Sequence, residues 1–324
     1  MTTSAVAQAL KRFDYQKYSS FIALVVLFVV SALLSPFFTR PGNLVNILSQ
    51  VSYTGMIALG MAFVIITGGI DLSVGSLVAF VSLVGVMVMN YLMGAIHKEL
   101  LALVAGIVAA LLLGAIAGWA NGITITRGRI APFIVTLGTM AIFRSLALFI
   151  GNAGEIQSQS NLYGEFGLVN ILWLPVTVWV MLLLAFVLDV ALNRTRYGRY
   201  LCAVGSNTRV AIFSAINVDR VKVIAYTITG VLVAISSVLL SSRFNAVSTS
   251  NTGMGYELDA IAAVIVGGTP LTGGRGTIWG TIIGAIILGI INNMLNLLGV
   301  SAYLQGTVKG LVIIGAVYIQ RQRA

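Results

Sequence analysis

Residues 100–124 read LLALVAGIVAALLLGAIAGWANGIT, a stretch without a single Asp, Glu, Lys or Arg. A helix rises 1.5 Å per residue, so about 20 apolar residues cross the hydrocarbon core of a bilayer. The stretch is therefore read as a membrane-spanning helix. Working outward, further apolar runs occupy 21–38, 48–67, 74–94, 132–150, 172–192, 222–242, 258–268, 277–298 and 303–319. With the first they make ten. The run at 258–268 is too short to cross alone, so it is expected to be a half-helix, or to start earlier near Asn251, with irregular backbone buried in protein or lining a cavity.

Composition agrees. Of 324 residues, 58% are hydrophobic and 9% charged. A soluble domain carries about 25% charged residues, so this chain cannot cover a soluble surface. One Cys (Cys202) and one His (His97) exclude a disulfide framework and a Cys/His metal cluster. There is no Gly-Lys dipeptide, hence no phosphate-binding loop, so any ATP is handled by another chain. The expected fold is an all-α integral membrane protein of about ten spans. Residues 1–19 form a cytoplasmic N-terminal segment, and 20–324 a single polytopic domain. No small-x-small cleavage site follows the first run, which is read as an uncleaved span.

Charge sets the orientation. With the N-terminus in the cytoplasm, that side receives Lys11, Arg12, Lys17, Arg127, Arg129, Arg194, Arg196, Arg199, Arg209, Arg220, Lys222, Arg275, Arg321 and Arg323. The other side receives only Arg40, Lys98 and Arg243, while Arg144 and Lys309 fall inside spans. Such asymmetry is the positive-inside signature. It puts both termini in the cytoplasm and explains the +10 net charge without nucleic acid. An internal echo runs through the chain. GGIDLSVG at 68–75 matches GGTPLTGG at 267–274 as GGxxLxxG, an offset of 199 that carries spans one to four near spans seven to ten. Both copies follow a run going the same way, so the repeat is parallel.

One long cytoplasmic loop is expected, at 193–221. Val210, Ile212, Phe213 and Ile216 stand among Asn207, Thr208, Arg209, Ser214 and Asn217. A short helix here suits docking of another protein; the alternative is a basic helix resting on lipid headgroups. Val210, Phe213 and Ile216 are expected on one face, with Phe213 as its aromatic anchor.

The strings TRYGRYLCAVGSN at 195–207, GGIDLSVGS at 68–76 and GYELDAIAAVIVGGT at 255–269 are specific. The chain resembles the permease subunit of bacterial ATP-binding-cassette sugar importers of the ribose, galactose and xylose type. The resemblance covers about residues 20 to 320. It implies inward movement of a monosaccharide by alternating access across the inner membrane, with no catalytic site on this chain. It implies a permease dimer, a cytoplasmic ATPase subunit that binds ATP and Mg, and a periplasmic sugar-binding protein. It makes the loop helix the coupling element, carried by Gly205, Asn207, Arg209, Val210, Ala211, Phe213, Ser214, Ile216 and Asn217. One departure stands out. Ser214-Ala215-Ile216 occupies the place of the usual Ser-Gly-Ile, and Val210-Ala211 that of Ala-Ala; a small shift in local packing is expected.

The remaining polar residues each have two readings. Asp71 suits a helix cap accepting from Ser73 or Val74 N–H, or a gate. Glu257 and Asp259 lie two apart, share no helix face, and read as N-terminal caps or as contacts for the binding protein. Arg144 and Lys309 sit at depth, where a charge faces the bundle interior and needs a partner. For the translocation path, Trp119 with Asn121, and Asn292 with Asn296 on one helix face, are the candidates; the alternative for the asparagines is interhelical hydrogen bonding. The GxxxG pairs Gly114/Gly118 and Gly280/Gly284 read as close helix packing. The rival from another class is an ion-coupled secondary transporter, which requires an acidic relay inside the spans, where none is expected. A membrane-embedded enzyme would need a nucleophile with a base, or a metal cluster, which one His and one Cys do not supply.

Overall fold

The computed structural model describes residues 19–321. Lys11, Arg12, Lys17 and Arg323, which contributed to the orientation, lie outside them. The helices are α1 (Ser19–Leu34), α2 (Pro41–Ile66), α3 (Val74–Ile96), α4 (Glu99–Gly128), α5 (Pro132–Ile150), α6 (Asn161–Leu168), α7 (Val176–Arg194), α8 (Arg196–Ser206), α9 (Thr208–Phe213), α10 (Val218–Phe244), α11 (Tyr256–Val266), α12 (Ile278–Leu297) and α13 (Ala302–Arg321). Each of the ten apolar runs falls on one of them. Seven are long and apolar enough to cross a membrane: α2, α3, α4, α5, α7, α10 and α12. The short run is α11, eleven residues long and preceded by irregular backbone.

The centre of the bundle is α2, in which every residue from Val51 to Ile66 except Thr54 is buried. It begins earlier than its apolar run because the polar residues of its first turns are partnered. Asn43 exchanges two amide hydrogen bonds with Asn293 of α12, at 3.0 and 2.8 Å. Helix α10 packs along α4 and α2. Serines tie these apolar helices together: Ser236 Oγ donates to Tyr53 O at 2.9 Å, and Ser82 Oγ to Ser237 O at 3.2 Å. Such bonds hold helices together where lipid offers no hydrophobic drive.

Glycine does the close work. Along α4, Gly114, Gly118 and Gly122 present bare backbone to α10. A methyl group at Gly118 would lie 2.2 Å from Tyr226 O, and one at Gly114 2.5 Å from Gly230 O. Gly280 and Gly284 likewise meet Gly267 O and Ala263 O across the α11/α12 contact.

The two glycine pairs of the matched strings both fall in turns that close a helix. Helix α2 ends in a turn with Gly68 at φ +79, where Gly68 N donates to Ile65 O and Gly69 N to Val64 O. Helix α11 ends the same way, with Gly268 at φ +97 donating to Ile265 O and Thr269 to Val264 O. Only glycine takes this left-handed position freely. The matching residues are thus Gly68 and Gly268, one position off the alignment of the GGxxLxxG strings. The string match paired glycines by letter, whereas the turn pairs them by backbone conformation. The two turns touch, Gly274 N donating to Ile66 O at 2.9 Å.

On the far side lies a plateau. Strands β1 (Glu155–Gln157) and β4 (Ala246–Ser248) form an antiparallel ribbon. Helix α6 is pinned beside it. Glu99 Oε1 accepts from Ser160 Oγ at 2.8 Å and Leu162 N at 3.0 Å, and Tyr163 OH donates to Val238 O at 3.0 Å. Burial pushes the Tyr163 phenol up to about 12, so it keeps its proton and this bond at any physiological pH. A second, minimal hairpin joins β2 (Asn170–Ile171) to β3 (Leu174–Pro175).

Gly118→Ala forces α4 away from α10 and is expected to destabilise the protein by about 1–3 kcal/mol, the range for overpacking. Thermal unfolding in detergent checks this, with Gly94→Ala, whose added methyl group meets nothing within 4 Å, as the unaffected control.

Candidate functional site

A cavity of about 500 Å³ opens between α2, α10, α11, α12 and α13. One face of α12 supplies Ala285, Leu288, Gly289, Asn292 and Asn296; α2 supplies Asn46, Gln50, Tyr53 and Thr54. The expected pair Asn292 and Asn296 therefore lines it. Its charged groups are engaged. Lys309 Nζ lies 2.9 Å from each oxygen of Asp259, and Arg243 donates to Ser49 Oγ. Gln305 donates to Asn296 Oδ1 at 2.7 Å. Two wall atoms, Tyr53 OH and Asn292 Oδ1, have no protein partner among the described residues.

Several expectations are corrected. Asp259 and Glu257 do not cap α11, whose N-terminus, at Gly255, has no side-chain cap. The left-handed Gly255 brings the chain in at an angle that turns Asp259 toward Lys309, while the Glu257 carboxylate lies against Gly75 of α3. Asp259, in the first turn of the short α11, is 9% exposed. Trp119 and Asn121 do not line the cavity. Trp119 points outward from α4, because the inward face of that helix is the glycine stripe. Asn121 is buried and donates to Ser73 Oγ at 3.0 Å. Asp71 accepts from Ser73 N at 2.9 Å and Ser73 Oγ at 2.6 Å, so it braces the turn before α3 while Ser73 itself holds the cap position.

Arg144, on α5, reaches the irregular segment ahead of α11. Its guanidinium donates to Thr249 O at 2.9 Å, Ser250 O at 3.1 Å and Thr252 O at 3.2 Å. These carbonyls belong to no helix, and the guanidinium supplies the donor that regular structure would otherwise provide.

At the opposite end sits the 193–221 loop. It holds two helices where one was anticipated. Helix α8 was not foreseen; its sequence is amphipathic, with Leu201 and Val204 buried, but the many Arg and Tyr residues disguised it. Asn207 caps α9, its Oδ1 accepting from Arg209 N at 3.0 Å and Val210 N at 3.1 Å, and Asn217 caps α10 by accepting from Arg220 N. Ala211 is buried. The exposed apolar residues are Val210, Ile212 and Phe213, the last 90% exposed. Ile216 is not on that face. The chain reverses after Ser214, with Ile216 N donating to Ala211 O, and the Ile216 side chain packs onto the core. Ala215 takes the left-handed position at φ 57, so the departure from glycine is felt in the backbone, at roughly 1–2 kcal/mol. Arg209 and Ser214 are exposed. Gly205 meets the two repeat turns: a methyl group there would lie 1.8 Å from Ile66 O and 2.5 Å from Gly274 N.

Residues 43–317 match the family described as branched-chain amino acid transport system / permease component. The chain belongs to this permease family. The permease is 42% identical to a ribose import permease protein of Bacillus subtilis (strain 168), covering 95% of this chain and 94% of the relative. It is 42% identical to the ribose import permease protein of Escherichia coli (strain K12), over 94% and 93% of the two chains. It is 36% identical to a D-allose transport system permease protein of the same organism, over 95% and 92%. No solved structure matches it. The sugar-importer resemblance of the signature strings is thus matched by relatives spanning nearly the whole permease, and these do not favour the ion-coupled alternative.

Arg144→Met leaves three loop carbonyls without a donor and is expected to cost about 3 kcal/mol. Arg144→Lys, with one ammonium in place of the fork, should lose less. Unfolding of the purified permease in detergent measures both.

Proposed function

We propose that the permease carries an uncharged monosaccharide of the ribose class inward across the bacterial inner membrane. ATP, with its Mg, is hydrolysed on a separate cytoplasmic subunit, and the permease has no catalytic site of its own. The cavity supports this reading. Among apolar side chains such as Leu240, Phe244 and Leu288, its wall carries carboxamides, tyrosines and a threonine, groups that exchange hydrogen bonds with hydroxyls. Its carboxylate, Asp259, is consumed by Lys309, so no anionic partner is left for the ammonium group of an amino acid. That separates a sugar from the cargo in the family description.

The finer arrangement follows from the charge asymmetry and the sequence resemblance. Ten spans, α11 being a half-helix, are arranged as a parallel repeat with both termini in the cytoplasm. Two copies build the pathway, an ATPase docks on the cytoplasmic side, and a periplasmic sugar-binding protein delivers on the other.

Coupling has a physical route. Val210, Ile212 and Phe213 offer the ATPase an exposed apolar patch. Behind them, Gly205 at the end of α8 abuts Ile66 and Gly274, in the turns that close α2 and α11. Those two helices carry Tyr53, Tyr256 and Asp259 in the cavity wall. A shift of α8 and α9 thus bears on both helices at once. Differential binding of the ATPase and of the sugar-binding protein to the two states would select between inward-open and outward-open forms.

Uptake of ribose into proteoliposomes should require the ATPase and ATP; uptake without them, driven by a proton gradient, would overturn the reading. Phe213→Ala removes the anchor and is expected to weaken ATPase docking by about 2 kcal/mol, some 30-fold, with membrane insertion unchanged. Co-purification at matched expression measures it. Single cysteines introduced at 155–165 should react with an impermeant reagent from outside, and at 205–217 only from inside.

A further inference from the structure

The hairpin before α7 is built against its own backbone preference. Leu172 and Trp173 are its two turn residues, and both have positive φ, 50 and 69. A two-residue turn of this kind normally takes Asn-Gly, because side chains strain there. Here the two positions hold large apolar side chains, Leu172 at 76% and Trp173 at 92% exposure. The strain is held in place: Trp179 Nε1 donates to Ile171 O at 3.0 Å, and Val176 N donates to Val169 O at 2.9 Å. Strained backbone that the surroundings over-determine marks a site with a task.

The neighbouring helix points to the occupant. Helix α7 buries Val178, Met181, Ala185 and Leu188, and turns Trp179, Leu183, Phe186 and Val187 outward. From Trp179 to Val187 that outward face is apolar, as a lipid-facing stretch must be; Asp189 and Asn193 follow only in the last turns. The hairpin sits at the head of this face and carries no charge from Asn170 to Pro175. Arg194 closes the other end of α7. An indole placed where acyl chains give way to headgroups buries its ring and keeps its N–H wet, which is why Trp concentrates there.

We propose that the Leu172–Trp173 turn is a lipid anchor: it inserts into the headgroup layer of the bilayer and fixes the depth of α7. The proposal rests on α7 crossing the membrane, not on the cargo. It is tested in permease reconstituted into phosphatidylethanolamine/phosphatidylglycerol vesicles. In a Cys202→Ala background, nitroxide labels are placed at Trp173→Cys or Leu172→Cys, with Leu183→Cys as the lipid reference and Glu155→Cys as the aqueous one. Anchoring predicts that molecular oxygen reaches the hairpin labels several-fold more than a water-soluble nickel chelate does, between the two references and nearer Leu183. Nickel access equal to that at Glu155 overturns it. Low access to both probes also overturns it, because protein then covers the turn. Where labelling disturbs folding, brominated lipids decide the point with native indoles. They should quench a fluorescence component that the relaxed turn, Leu172→Asn with Trp173→Gly, loses while remaining folded. Equal quenching in both proteins would overturn the anchor.

Discussion

A guanidinium on broken backbone holds the arrangement together. A buried carbonyl needs a donor, and the chain between β4 and α11 belongs to no helix that could supply one. Arg144 supplies donors to Thr249, Ser250 and Thr252 from the neighbouring α5. This lets α11 begin within the bundle as an eleven-residue half-helix. Its first turn then stands beside α2 and α12 and places Tyr256 and Asp259 in the cavity wall. Without that clamp, three loop carbonyls would lose their donor, and the entry into α11 would lose its tie to α5.

The glycine stripes complement the clamp. Where Gly114 meets Gly230 and Gly280 meets Gly267, helices approach at backbone distance, and Ser236 of α10 reaches the Tyr53 carbonyl of α2. Close packing leaves α10 little freedom to move relative to α4. The turns that follow α2 and α11 are packed as closely, backbone against backbone. Gly205 lies between the α9 patch and the backbone at Ile66 and Gly274, so loop and helix ends meet there with no side chain between them.

Much of this could be read from the residues. Runs of uncharged residues mark helices because hydrocarbon permits little else, and a charge such as Arg144 at mid-span demands a partner. The half-helix was legible from its length alone. Which way a residue faces was not. A helix apolar on all sides carries no period, so nothing separated Trp119, which points outward, from Asn292, which lines the cavity. Pairing across distance was equally hidden: Lys309 and Asp259 stand on different helices, and no local rule joins them. The direction of a turn depends on the sign of φ, which letters do not show. Hence Ile216 leaves the α9 face, and Gly68 and Gly268, not Gly68 and Gly267, hold the equivalent left-handed positions. The hairpin at Leu172 and Trp173 went unnoticed for the same reason, since its residues are the wrong ones for its shape.

The pinned plateau has a kinetic consequence. Helix α6 is held by Glu99 below Ser160 and by Tyr163 on α10, while β1 is zipped to β4. Such a face has little conformational entropy left to lose. On the reading that it is external, a soluble protein arriving there meets a surface already in its bound shape. Association then carries a small ordering cost, and its rate is set by diffusion and orientation rather than by rearrangement of the permease.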